Sequence, residues 1–126
     1  MSSESSTNSS LPPEAAARLK ADVRSGERRA DLVLRGELDL ATVSLAEQAV
    51  ARLGPEAETL VLDLRQLTFI DSSGLKMILG TAENWNGGPR RLFVVRGPAQ
   101  VERVLELTGA AERLTMVEDP SSIKPA

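Results

Sequence analysis

The 126-residue sequence contains no histidine and no cysteine. Their absence removes the usual zinc ligands, the commonest general base and the thiolate nucleophile, so most enzyme classes are hard to build from this chain. Carboxylates, lysines and serines remain available for catalysis, yet the composition favours a binding module over an enzyme, and no cofactor or metal is expected. Without cysteine there are no disulfides, as suits a reducing compartment. Aromatics make up only 2% of the residues. A core must therefore be assembled from Leu, Val, Ile and Ala, joined by Phe69 and Phe93, the sole phenylalanines. The formal charge of -3 and the scattering of the basic residues speak against a surface that neutralises many phosphates, so no direct contact with nucleic acid is expected. No apolar run approaches the roughly 20 residues that span a bilayer. The opening MSSESSTNSSLPP has neither a basic n-region nor an apolar h-region, and a cytoplasmic protein without a membrane segment is the expectation.

What is present is ordinary material for one domain: 41% hydrophobic and 26% charged residues. Residues 1–13 hold six serines, one threonine and one asparagine, too polar to bury, and are expected to be a disordered tail. Residues 119–126, interrupted by Pro120 and Pro125, are read as a flexible C-terminal tail. The domain is placed at 14–118.

Within it, Leu19 to Arg24 and Ala30 to Arg35, joined through Ser25-Gly26-Glu27, read as a β-hairpin. Leu45, Ala46, Ala49, Val50 and Leu53 then share a helical face, Ser44 and Glu47 have capping-box spacing, and Gly54-Pro55 ends the helix. Leu60-Val61-Leu62-Asp63-Leu64 has the near-continuous apolar pattern of a central strand in a largely parallel sheet. Leu75, Ile78, Leu79 and Ala82 mark a second helix that starts near Ser72 or Ser73 and stops at Asn86-Gly87-Gly88-Pro89. Leu92 to Val95 is a further strand. Gly97-Pro98 opens a third helix through Val101, Val104, Leu105 and Thr108, with Gly109 as its C′ residue, and Leu114 to Val117 adds a last strand. The order is β-β-α-β-α-β-α-β, an α/β domain with a mixed, largely parallel sheet and packed helices.

Asp71-Ser72-Ser73-Gly74 falls where a strand hands over to a helix, a place whose N–H groups and dipole favour negative charge. Two readings stand side by side. Asp71 or a serine caps the helix while Gly74 allows close packing, or Ser72 carries a regulatory phosphate of about -1.5 to -2 charges that repels a partner expecting a neutral hydroxyl.

The chain resembles the bacterial anti-sigma factor antagonists of the STAS class, typified by sporulation and general-stress antagonists. The resemblance runs over about residues 19–117. It is carried by Gly36-Glu37-Leu38-Asp39-Leu40-Ala41-Thr42, by Leu62-Asp63-Leu64 leading to Phe69-Ile70-Asp71-Ser72-Ser73-Gly74-Leu75, by Gly87-Gly88 and by Val104 to Gly109. It implies a STAS fold and an unphosphorylated form that binds an anti-sigma factor serine kinase, freeing a sigma factor. It further implies that this kinase phosphorylates Ser72 to end binding, and that a PP2C-type phosphatase resets the switch. Asp39, Asp71, Ser72, Ser73 and Gly74 are implied as the partner-binding set. Asp39 equally reads as a helix cap, and Ser73 adjoins the same helix start, where spacing alone does not separate it from Ser72. Lys76 departs from the small or apolar residue that relatives often carry. The runner-up function is a STAS subunit of a stress-signalling scaffold or a lipid-transport complex. Nucleotide hydrolysis is the enzyme alternative, but the chain lacks GxxxxGK[ST]. The oligomeric state is left open.

Overall fold

The computed structural model describes residues 17–124; the tail expected at 1–13 lies outside the described residues. Five strands form one sheet in the order β1-β2-β3-β4-β5: β1 Leu19–Ser25, β2 Arg29–Leu38, β3 Thr59–Ile70, β4 Arg91–Val95 and β5 Met116–Val117. The first pair is antiparallel, as the hairpin reading requires, and the other three pairs are parallel. Each parallel pair is bridged by a helix: α1 Val43–Ala51, α2 Ser72–Trp85 and α3 Ala99–Leu107. Neighbouring parallel strands joined by crossovers of one hand place all three helices on one face of the sheet. There Leu60, Leu62 and Leu64 of β3 meet Ala46, Ala49, Leu75, Ile78, Ala82, Val101 and Leu105 in a single aliphatic core.

Apolar residues on successive positions make β3 the central strand because both its faces are covered. Its other face carries Val61, which packs with Val95 and Ile123. Ile123 belongs to the segment read as a tail. Pro120–Ser122 forms a 3-10 turn, the Arg29 guanidinium donates to the Pro120 carbonyl at 3.1 Å, and Arg91 donates to the Lys124 carbonyl at 2.8 Å. One isoleucine in a polar, proline-broken stretch is recruited by an apolar sheet face that none of α1, α2 and α3 covers.

Two local expectations change. The capping box does not form: α1 begins at Val43, with Thr42 as its N-cap and no side-chain cap bond. The Thr42 hydroxyl is drawn instead to the Glu37 carbonyl at 2.7 Å. Phe69, expected in the core, is 48% exposed. The register of β2 on β3 shifts twice before Glu37 pairs with Phe69. Leu67 and Ile70 take the buried positions, so strict alternation is lost and Phe69 faces outward.

Asp63 sits within β3, buried and bonded by Arg65 through Nε at 3.0 Å and Nη2 at 2.8 Å. Burial opposes its ionisation, but the Arg65 hydrogen bonds and charge outweigh that effect and hold its pKa below the usual 3.8. A carboxyl whose folded pKa lies below its unfolded value adds stability that is complete above the unfolded pKa and is lost as pH falls through the folded one. The urea midpoint, followed by Trp85 fluorescence, should hold steady down to about pH 5 and drop below about pH 4. Asp63→Asn should lower the midpoint at neutral pH and flatten the acid drop. An unchanged acid slope in the variant would assign the transition to other carboxylates.

Candidate functional site

The residues singled out by sequence converge at the C-terminal ends of β2 and β3, the edge where open α/β sheets place their sites. The last register pair, Leu38 with Ile70, brings the turn after β2 beside the turn into α2. Asp71 leaves β3 in extended conformation and caps α2, its Oδ1 accepting from the Ser73 N–H at 2.9 Å and the Gly74 N–H at 3.1 Å. Its Oδ2 accepts from the Leu40 N–H at 3.2 Å. One carboxylate thus satisfies two orphan donors of the helix and ties both turns together.

Gly74 follows from close packing. A Cβ there would stand 2.7 Å from the Leu38 carbonyl oxygen and 2.9 Å from Ile70 Cγ1. Gly74 is buried, and its place in the site is to let α2 approach β2 and β3 rather than to offer surface. Ser72, the first residue of the helix, is exposed, whereas Ser73 is half-buried. The Ser72 hydroxyl makes no hydrogen bond among the described residues.

Asp39 is occupied as well. Its Oδ1 accepts from the N–H groups of Ala41 at 3.0 Å and Thr42 at 3.2 Å, closing the turn before α1. Its Oδ2 pairs with Arg18, whose guanidinium also reaches Glu37 at 2.8 Å. Burial by itself would raise the Asp39 pKa. Hydrogen bonds from Arg18 and Thr42 and the Arg18 charge overcome that and keep the carboxyl below 3.8. Asp39 therefore shapes the turn and leaves little of itself for a partner. The Asp39 cap reading is thus modified: it fixes the turn, while Thr42 occupies the N-cap.

Three residues at this end escaped the sequence reading. Arg18 lies 19 positions from Glu37 and 21 from Asp39, a separation no local pattern reveals. Leu40 is 75% exposed beside Asp71, and Phe69 is exposed three positions before Ser72. An apolar side chain held in water next to the predicted switch is a signal only once burial is known. Trp85, by contrast, is buried, donates from Nε1 to the Glu58 carbonyl at 3.3 Å and lies under the Arg90 guanidinium; it closes the core edge at the other end of α2.

Among the described residues no group of three or more acidic side chains is placed to hold a metal ion, and no helix is long and apolar enough to cross a membrane. A cavity of about 410 Å³ lies at the opposite end of the sheet, lined by Glu27, Arg28, Arg29, Glu58, Thr59, Ile123 and Lys124. It shares no residue with the Ser72 end.

The model of the family described as Mlab, STAS domain, matches residues 21–118. The chain belongs to the STAS domain family. Among curated relatives of this STAS domain, an anti-sigma-B factor antagonist of Staphylococcus aureus is 25% identical over 84 residues, covering 66% of this chain and 78% of the relative. A solved anti-sigma factor antagonist from Mycobacterium paratuberculosis is 25% identical with a TM-score of 0.76, covering 89% of this chain and 93% of that one. The unphosphorylated form of the anti-sigma factor antagonist SpoIIAA shares the fold at a TM-score of 0.66 and 21% identity, over 82% of this chain and 92% of that one. The element order, the mixed sheet and the three packed helices of this STAS domain are those expected from sequence.

Proposed function

We propose that this STAS domain is an anti-sigma factor antagonist switched by phosphorylation of Ser72. With a free hydroxyl at Ser72 it captures an anti-sigma factor serine kinase and so releases a sigma factor. When that kinase phosphorylates Ser72 the complex parts, and a PP2C-type phosphatase restores the binding form. The observation that carries this reading is the placement of Ser72: exposed, its hydroxyl unbonded among the described residues, and first in a helix whose end is already capped by the neighbouring carboxylate. A phosphate there adds charge to the surface without breaking an existing contact, which is what a switch of affinity at constant fold needs. Leu40, bonded to Asp71, and Phe69, three positions before Ser72, supply exposed apolar area at this end of the sheet, and Asp71 and Ser73 its polar rim. Asp39 and Gly74 hold that surface in shape.

The full unmodified chain, used as bait, should retain a protein kinase of the anti-sigma type. Added ATP should release it, with phosphate mapped to Ser72. Phosphate confined to Ser73 or to residues 1–13 would remove Ser72 from the mechanism. Recovery of a transporter ATPase or a large scaffold with no kinase would move the reading to a STAS subunit of a lipid-transport or stress-signalling assembly.

A further inference from the structure

We propose that Lys76 is the built-in counter-ion of a phosphate on Ser72, holding the modified side chain against α2. The inference rests on Ser72 as the modified residue and adds how this chain accommodates the charge.

A helix N-terminus ordinarily receives a phosphate on its free N–H groups. Here most of those groups are taken: the Ser73 and Gly74 amides point at Asp71 Oδ1 and the Leu75 amide bonds the Asp71 carbonyl at 2.9 Å, which leaves the N–H of Ser72 itself. A phosphate on Ser72 therefore meets an adjacent carboxylate and a single open amide rather than the usual set of donors, and its charge calls for a cation. Lys76 is the only basic residue of α2. It stands four positions after Ser72, so the two are surface neighbours with Cβ atoms about 5–6 Å apart. Both are exposed. Helical side chains lean toward the N-terminus, which carries the lysine stem back over the turn that holds Ser72.

The competing charges are accounted for. Arg18 is engaged by Glu37 and Asp39. Arg113, in the 3-10 turn packed on α2, pairs with Glu83 near the far end of the helix. Arg91 of β4 donates to the Lys124 carbonyl, and Asp63 and Arg65 of β3 pair with each other. Glu47 of α1 lines the same shallow groove as Lys76. Among the described residues no carboxylate pairs with the Lys76 ammonium within 4 Å. The lysine is free to take a phosphate when one arrives.

The test installs phosphoserine at position 72 of the full chain during translation, so no kinase is involved, and follows the second phosphate ionisation by phosphorus NMR. In the otherwise unaltered chain this ionisation should lie about half a pH unit below that of Lys76→Gln, with Lys76→Arg restoring most of the difference. The difference should shrink in high salt, as an exposed pair requires. Equal ionisation in all three proteins overturns the pairing. That result would leave partner switching at Ser72 untouched, whereas failure of the capture experiment would leave the titration difference in place, so the two claims fail separately.

Discussion

Ser72→Asp is expected to bind the anti-sigma factor at least about 100-fold more weakly than Ser72→Ala, which corresponds to about 2.7 kcal/mol. The alanine variant removes only a hydroxyl that makes no hydrogen bond among the described residues and leaves the Asp71 cap intact, so capture should survive while phosphorylation is abolished. The aspartate places a second carboxylate beside Asp71 on the proposed docking surface, where a charge desolvated without a partner costs several kcal/mol. One carboxylate carries less charge than a phosphate, and the 100-fold figure is accordingly a lower bound for the phosphorylated protein. Acidic residues in the first turn stabilise helices, so Ser72→Asp should melt no lower than the parent. Loss of binding without loss of stability separates a switch from a folding defect. Calorimetric titration of both variants with the captured partner reads the ratio, and equal affinities would defeat the mechanism.

Gly36→Ala is expected to cost about 3 kcal/mol or more and to lower the melting temperature by on the order of 10 °C. Gly36 has φ of 107°, a conformation L side chains rarely adopt, and a Cβ built on it stands 2.2 Å from the Arg18 carbonyl oxygen. Backbone is the obstacle, so no rotamer change relieves it, and the start of β1 must move away from β2. Arg18 moves with it, which breaks the link to Glu37 and Asp39 and loosens the turn beside Ser72. Partner capture should weaken together with stability. Gly80→Ala provides the contrast. Nothing lies within 4 Å of a Cβ built at Gly80 in the interior of α2, so exchanging the less favourable helix former should add about 0.5–1 kcal/mol. Thermal melts of the two variants should move in opposite directions, and a shift of the same sign in both would show that sterics at Gly36 do not govern the outcome.

The fold was legible where burial leaves a periodic trace. The apolar run from Leu60 to Leu64 identifies the central strand because both its faces are covered, and Gly109, with φ of 79°, lies just past α3 because a left-handed residue ends that helix. Patterns failed where another contact outcompeted the one they implied. Ser44 and Glu47 have the spacing of a capping box, but the Asp39 turn claims Thr42 and the helix starts two residues earlier. Phe69 has the composition of a core residue, yet shifted register gives its inward place to Leu67 and Ile70. Asp71 as a cap and Gly74 as a packing glycine were readable from the motif, since capping and close approach depend on neighbours in sequence. Arg18 and Leu40 were not, since Arg18 reaches Glu37 and Asp39 only when β1 lies beside β2, and Leu40 meets Asp71 only when β2 lies beside β3.

The C-terminal segment leaves the sheet at the end remote from Ser72. Lys124 is held by Arg91, at the start of β4 and level with Thr59 at the start of β3, while Asp71 follows the last residue of that strand. The twelve residues of β3 separate the two ends by about 36 Å at ~3.3 Å per residue. A tether, fluorophore or sensor chip joined after Lys124 is thus displayed away from the switch, and a protein immobilised through it offers Ser72 to the solution.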